Sequence, residues 1–241
     1  MRFLIFPFLL CTVWLRALEF GETHADLVFK PEYHRSFGYC QEFALSGEQI
    51  IENSYTVQGG IALGQTGSEF DIDLYLGGAY LFPLPFNLSI RLLYIYNAIP
   101  AYTYQTNTLF PFLSLRRKWG GLDLGTAFRF TRFDSAPSAI FEPIFSIRLF
   151  LDILTLNRIK LLMGLGNFSP FHVGNLGAYY LFFESRIDMQ GSRPVRALRE
   201  IWRDGPLVSL ISGLELYQTG GMALASTFQG LALRWGLGFS W

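Results

Sequence analysis

Along residues 122–132, large apolar side chains alternate with polar or small ones at almost every position. This alternation constrains the fold more than any other feature of the sequence. Successive side chains of an extended strand point to opposite faces, so a hydrophobic pattern with a period of two gives the strand one apolar and one polar face. A helix would place Asp123 and Arg129 inside its own apolar stripe. The two faces are Leu122, Leu124, Thr126, Phe128 and Phe130 against Asp123, Gly125, Ala127, Arg129 and Thr131.

The same alternation recurs along most of the chain, more weakly in places. Tight connections near 83–85, 118–121 and 155–157 contain proline, glycine or asparagine, which are typical turn residues. Looser segments lie between these connections, and the phase of 175–187 is ambiguous. The pattern predicts strands within 55–64, 70–76, 88–94, 109–116, 122–132, 145–153, 159–166, 175–187, 206–218 and 230–241.

The composition indicates a membrane protein, yet a membrane-spanning helix is missing from the sequence. Of 241 residues, 51% are hydrophobic and 16% are charged, with a formal net charge of zero. These values exclude a disordered chain and disfavour a nucleic-acid partner. No apolar run reaches the about 20 residues that a spanning helix needs. The longest, Phe3–Leu15, has the layout of a secretory signal, so we expect a signal peptide over 1–17, with residue 25 as the latest cleavage site.

An exported apolar chain without a spanning helix favours a closed β-barrel, the other structure that satisfies every backbone group in lipid. We therefore predict an all-β fold, a transmembrane antiparallel up-and-down β-barrel over 55–241. It has about ten strands, within a range of about 8–12. Residues 18–54 alternate poorly and form either an N-terminal segment or an extra hairpin, which would bring the barrel to the upper limit of that range. Residues 192–204 form either an amphipathic interfacial helix or a basic loop.

The last strand carries a recognisable motif at its end. Arg234, Gly236, Phe239 and Trp241 provide a polar residue, a glycine and two alternating aromatic residues up to the terminus. This pattern resembles the C-terminal β-signal of bacterial outer-membrane proteins. On architecture, the chain is similar to the small-barrel class that includes OmpW-like and OmpX-like proteins. The resemblance implies multi-pass insertion into the bacterial outer membrane, with membrane lipid and the barrel assembly machinery as partners, while the oligomeric state stays open.

The polar faces of the strands predict the lining of the lumen. Acidic and basic residues are nearly balanced there, which predicts either an internal ion-pair network that fills the lumen or a narrow channel with little ion selectivity. The strands supply no cluster with metal-ligand spacing and no cofactor fingerprint, so we expect neither a metal nor a cofactor. The predicted lumen residues are Asp73, Arg91, Arg116, Asp123, Arg129, Glu142, Arg148, Asp152, Lys160, Glu215 and Arg234.

Three functions compete for a barrel of this size. The first is a narrow channel for small or apolar solutes across the outer membrane. The second is a structural or adhesin-like role through surface loops. The third is lipid hydrolysis by His34 and Ser36, whose spacing places imidazole and hydroxyl on one strand face. A three-residue match without an orienting acid is weak, so we expect no enzymatic activity and favour the channel.

Overall fold

The computed structural model describes residues 20–34, 38–66, 69–84, 87–100, 104–117, 119–133, 139–156, 159–167, 179–189, 207–218 and 230–240. The strands are β1 (Phe20–His34), β2 (Gly38–Ile51), β3 (Tyr55–Thr66), β4 (Glu69–Leu81), β5 (Asn87–Ile99), β6 (Tyr104–Arg117), β7 (Gly120–Phe133), β8 (Ile140–Leu156), β9 (Ile159–Gly166), β10 (Tyr179–Asp188), β11 (Leu207–Gln218) and β12 (Gly230–Ser240).

Each strand pairs antiparallel with the next along the chain, and β1 pairs with β12 to close the sheet. The fold is therefore the predicted all-β, antiparallel, up-and-down barrel. We call the end where β1 begins and β12 ends the terminal end, and the opposite one the far end. Among the described residues, no helix is long and apolar enough to cross a membrane.

The predicted number of about ten strands was too low, because the described residues form twelve. The two additional strands are β1 and β2, the extra hairpin that the sequence left open for residues 18–54. They alternate as the other strands do: Leu27 and Phe43 point outward and are about half exposed, whereas Val28 is buried in the interior. The hairpin is part of the wall, since β1 carries the closing contact with β12.

A proline and several charged residues obscured the strand pattern of this hairpin in the sequence. Pro31 lies within β1, where a proline normally argues against a strand. The β1–β12 ladder skips Lys30 and Pro31, whereas the β1–β2 ladder runs through both. Proline has no N–H to donate, so the strand continues by pairing on one side only at this point.

A tight turn joins β2 to β3 at the terminal end. Glu52 and Asn53 both have positive φ, at 51° and 55°, and the Ser54 N–H donates to the Ile51 carbonyl oxygen at 3.2 Å. Two central residues with positive φ define a type I′ turn, whose twist matches that of the flanking strands. This turn fixes the register of β2 with β3 and thereby which of their side chains enter the lumen.

The outer face of the barrel is apolar at mid-height and aromatic at both ends. Leu76 and Leu149 lie near the middle of their strands and are 63% and 42% exposed. The exposed aromatic side chains include Tyr55, Tyr80 and Trp119 at the terminal end and Tyr33, Tyr39 and Phe141 at the far end. An apolar band flanked by aromatic girdles is the surface of a barrel that crosses an outer membrane. The chain is accordingly a multi-pass β-barrel of that membrane type.

Several expectations fall outside the described residues. These are the signal peptide at 1–17, the segment 192–204, Ser36, Trp241 and the loops proposed for surface interaction. Within the described part, cleavage after residue 17 would leave β1 whole, whereas cleavage after Ala25 would remove the beginning of that strand.

Candidate functional site: the barrel lumen

Every charged residue that the sequence assigned to the lumen lies on the inward face of its strand. Asp73, Asp123 and Glu215 are buried there, because the inward-facing side chains of a barrel pack against each other. Glu142 and Lys160 are the more exposed members, with side chains 47% and 45% exposed, since they lie near the two mouths. The structure does not bring all these residues into one site but divides them among several contact groups.

Asp123 on β7 organises the first group. Its carboxylate accepts hydrogen bonds from Arg148 at 2.8 Å and Arg116 at 2.5 Å, and also from the Ser114 hydroxyl at 2.7 Å. The Arg116 guanidinium lies 4.6 Å from the ring centre of Phe150. Adjacent strands supply all these residues, because Asp123 is in register with Ser114 on β6 and with Arg148 on β8. One buried carboxylate thus holds two cations against the wall.

A second group crosses four strands and includes residues that the sequence did not single out. Arg186 on β10 makes a bidentate contact with Asp26 on β1, at 2.6 and 3.2 Å, and its Nε donates to Glu184 at 2.9 Å. Glu184 and Glu215 each accept from Arg234 at 3.2 Å. The result is a chain of alternating charges, Asp26–Arg186–Glu184–Arg234–Glu215, whose members lie on the neighbouring strands β1, β12, β11 and β10.

Different sequence features concealed the members of this second group. Asp26 lies in the N-terminal hairpin, which was not assigned to the barrel. Glu184 and Arg186 lie in the segment of ambiguous phase, where residues 179–183 are all aromatic or apolar and mask the alternation. Glu184, Arg186 and Asp188 alternate just after that run, and this charge spacing was the available signal.

The remaining charges form smaller pairs along the wall. Lys30 on β1 is buried and lies 3.2 Å from Glu42 and 3.9 Å from Glu32. Asp73 accepts a hydrogen bond from Asn97 at 2.9 Å, and Thr106 donates to the same Asn97 at 2.9 Å. The other pairs are Arg91 with Glu48 at 3.5 Å, Arg129 with Glu142 at 3.1 Å, and Lys160 with Asp152 at 3.6 Å.

Apolar side chains fill part of the lumen at mid-height. Phe110 and Phe112 on β6 stack with their ring centres 4.6 Å apart, and Phe110 is only 1% exposed. Leu93, Ile95 and Ala127 complete this buried cluster, and Tyr75 and Ile144 pack against it. Since these residues lie near the middle of β4–β8, they narrow the passage there rather than at its mouths.

A cavity of 410 Å³ occupies the terminal half of the lumen. Strands β1–β4 line one side and β9–β10 line the other, so the space lies across the barrel interior. Its charged lining comprises Asp26, Glu48, Lys160, Glu184 and Arg186. A cavity of this size is large enough for a small polar solute.

The described residues of the C-terminal motif, Arg234, Gly236 and Phe239, lie where β12 meets β1. Arg234 reaches into the lumen, and Phe239 pairs with Ala25. Gly236 lies so close to β1 that an added Cβ would be 2.3 Å from the Leu27 carbonyl oxygen. A glycine at this position therefore permits the close approach of the two strands that close the barrel.

The hydrolase hypothesis gains no support from the described part of the chain. His34 is the last residue of β1 and pairs in register with Gly38 and Gly230 at the far end. Its presumed partner, Ser36, lies outside the described residues. The described residues also contain no group of three or more histidine, cysteine, aspartate or glutamate side chains that could hold a metal ion.

The described residues form a closed antiparallel barrel of twelve strands, apolar outside and charged inside, which defines the class of outer-membrane β-barrels. No protein-family model and no curated protein sequence matches the chain. Solved structures do match its fold. A KdgM porin in complex with disordered oligogalacturonate aligns with a TM-score of 0.52 and 8% identity, over 90% of this chain and 99% of that one. A NanC porin aligns with a TM-score of 0.54 and 12% identity, over 88% and 98%.

These two neighbours confirm the predicted outer-membrane barrel fold. Both are described as porins. At such low identity the likeness concerns the fold alone, so the function has to be argued from the lumen of this chain.

Proposed function

We propose that the protein is a narrow passive channel for small polar solutes across the outer membrane. The observation that carries this proposal is the charged lumen with its 410 Å³ cavity, enclosed by a barrel that is apolar outside. Charged groups kept inside a lipid-embedded barrel are favourable only if water or opposite charges surround them. A water-containing path along these groups would admit polar solutes.

The lumen of the described residues favours polar over apolar cargo. Its larger apolar cluster, around Phe110 and Phe112, and a smaller one of Tyr180, Phe182 and Ala232 each cover one part of the wall, whereas charged pairs line other parts of it. An apolar solute in the lumen would have to displace water from those ion pairs without replacing its hydrogen bonds. The cluster instead limits the width of the path, so the channel admits only small solutes.

The charge balance of the described lumen favours cations modestly. Its basic side chains are Lys30, Arg91, Arg116, Arg129, Arg148, Lys160, Arg186 and Arg234. The acidic ones outnumber them and are Asp26, Glu32, Glu42, Glu48, Asp71, Asp73, Asp123, Glu142, Asp152, Glu184 and Glu215. Because each of these bases has a carboxylate within 4.0 Å, an acidic oligosaccharide such as the KdgM ligand would have to compete with a carboxylate of the wall at every base.

Reconstitution into planar lipid bilayers tests the channel directly. We expect discrete, small conductance steps and a potassium-to-chloride permeability ratio above unity, measured from the reversal potential in a salt gradient. Heat-denatured protein added in the same detergent is the control and should give no steps. Folded protein that inserts into the bilayer without any conductance or solute flux would overturn the proposed function.

A further inference from the structure

The 410 Å³ cavity has loosely held charges of opposite sign on its two sides. The side formed by β1–β4 contributes Glu48, next to Gln58 and Tyr75, and the side formed by β9–β10 contributes Lys160. The cavity also touches Asp26, Glu184 and Arg186. Which of these groups can bind a solute depends on how tightly each is already engaged.

Arg186 is already bound tightly by both Asp26 and Glu184. Arg186 donates to both carboxylate oxygens of Asp26 and to Glu184, with distances of 2.6 to 3.2 Å. Glu184 also accepts from Arg234. Such bidentate and shared contacts are the strong ones, so a solute gains little by competing for them.

Glu48 and Lys160 are held much more weakly. Glu48 lies 3.5 Å from Arg91, and its side chain is 34% exposed. Lys160 lies 3.6 Å from Asp152, and its side chain is 45% exposed. These distances exceed those of good charge-assisted hydrogen bonds, so both groups keep hydrogen-bonding capacity toward the cavity.

We propose that this cavity is a subsite for small zwitterions, which carry one ammonium and one carboxylate group. Glu48 accepts hydrogen bonds from the ammonium group, and Lys160 donates to the carboxylate. A solute with a single charge would satisfy one side only, and an apolar solute neither. The inference rests on the proposed channel function and names the class of solute that the channel takes.

Swelling of proteoliposomes with two isomeric solutes tests the subsite. β-Alanine is a zwitterion, and lactamide has the same atoms without charges. We expect β-alanine to enter wild-type proteoliposomes about two- to five-fold faster than lactamide, the factor that an exposed ion pair contributes. Rates are corrected for protein-free liposomes and normalised to the amount of folded barrel, measured by heat-modifiable gel migration.

A double variant, Glu48→Gln with Lys160→Gln, removes both charges and leaves the net charge unchanged. We expect it to lower the ratio of β-alanine to lactamide entry to unity. The matched control is Glu52→Gln with Arg117→Gln, which removes exposed charges outside the cavity at the same end of the barrel and should keep the wild-type ratio.

The outcomes separate this inference from the channel itself. Equal entry of the two isomers into wild-type proteoliposomes would overturn the subsite and leave the channel intact. A preference for β-alanine that survives the double variant would show that Glu48 and Lys160 do not form it. Entry of neither solute would overturn the proposed function as a whole.

Discussion

At the scale of single residues, two carboxylates of the lumen each contact two cations. Asp123 contacts Arg116 and Arg148, and Glu184 contacts Arg186 and Arg234. Alternation in the sequence was enough to place Asp123 and Arg148 on the inward face. The pairing was not predictable where it joins distant strands, because no sequence pattern relates Asp26 to Arg186, 160 positions away.

Replacing Asp123 by asparagine should destabilise the barrel. The substitution removes the negative charge that Arg116 and Arg148 share. The Asp123 side chain is only 3% exposed, so this contact is buried. Loss of one partner of a buried ion pair leaves an uncompensated charge, so we expect the free energy of unfolding to fall by about 3 kcal/mol. Urea-induced unfolding in lipid vesicles measures this change.

The pair of Arg129 and Glu142 at the far end is its comparison. Glu142→Gln disrupts a contact whose carboxylate is 47% exposed, although the Arg129 side chain is only 10% exposed. Because water reaches the carboxylate side of this pair, we expect a smaller loss than for Asp123→Asn. A loss for Asp123→Asn no larger than that for Glu142→Gln would show that burial of the Asp123 group does not matter.

A charge on the outer face tests the assigned orientation of β8. Leu149 lies near mid-height and is 42% exposed. Leu149→Arg should lower the free energy of unfolding by about 2–4 kcal/mol, because arginine at the bilayer midplane is unfavourable. Trp119→Arg, in the β6–β7 turn at the terminal end, should cost only about 0–1 kcal/mol. A smaller effect at Leu149 than at Trp119 would mean that Leu149 does not face lipid.

At the scale of strands, period two predicted most of the barrel, and the failures have identifiable causes. Predicted segments such as 122–132 and 230–241 coincide with β7 and β12 because the two faces of each strand differ sharply. The hairpin β1–β2 was missed because Pro31 interrupts it and charges line its inward face. The phase of β10 was ambiguous because apolar residues occupy both faces of its first half.

Closure of the barrel between β1 and β12 is testable by a disulfide. Leu27 and Leu237 are register partners, and antiparallel partners have Cα atoms about 4.5–5.5 Å apart, within the reach of a disulfide. In a chain with Cys11 and Cys40 replaced by serine, Leu27→Cys with Leu237→Cys should form a cross-link under mild oxidation. Non-reducing gel electrophoresis of the folded protein detects it.

A pair out of register provides the comparison. Leu27→Cys with Leu233→Cys displaces one cysteine by four residues, or about 13 Å along the strand, so we expect no cross-link. Equal cross-linking of both pairs, or of neither, would contradict a barrel closed in this register.

At the scale of the whole molecule, the number of strands sets how much lumen there is to fill. Twelve strands enclose a wider interior than the about ten first predicted, because barrel diameter grows with strand number. The stacked Phe110 and Phe112 rings occupy part of this added space, while the cavity occupies another part. The alternation of β6 already predicts that Phe110 and Phe112 face the lumen, whereas the cavity was not predictable from the sequence alone, since it depends on how opposite walls face one another.

Removal of an aromatic ring from the lumen should widen the path. Phe112 is 5% exposed and lies in the mid-height cluster. We expect Phe112→Ala to raise the single-channel conductance in planar bilayers, because the ring leaves a gap that water and ions can enter. Phe145→Ala removes an equal ring from the outer face, where Phe145 is 62% exposed, and should leave the conductance unchanged. An unchanged conductance for Phe112→Ala would show that the cluster does not border the path.

The most direct measurement is an accessibility scan along β8. Single cysteines at each position of 144–151 carry a spin label, and relaxation is measured with lipid-soluble oxygen and with a water-soluble paramagnetic complex. We expect labels at odd positions, such as Leu149, to respond to oxygen and labels at even positions, such as Arg148, to respond to the water-soluble complex. Uniform accessibility along the strand, or the opposite phase, would contradict a water-containing lumen inside a lipid-facing barrel.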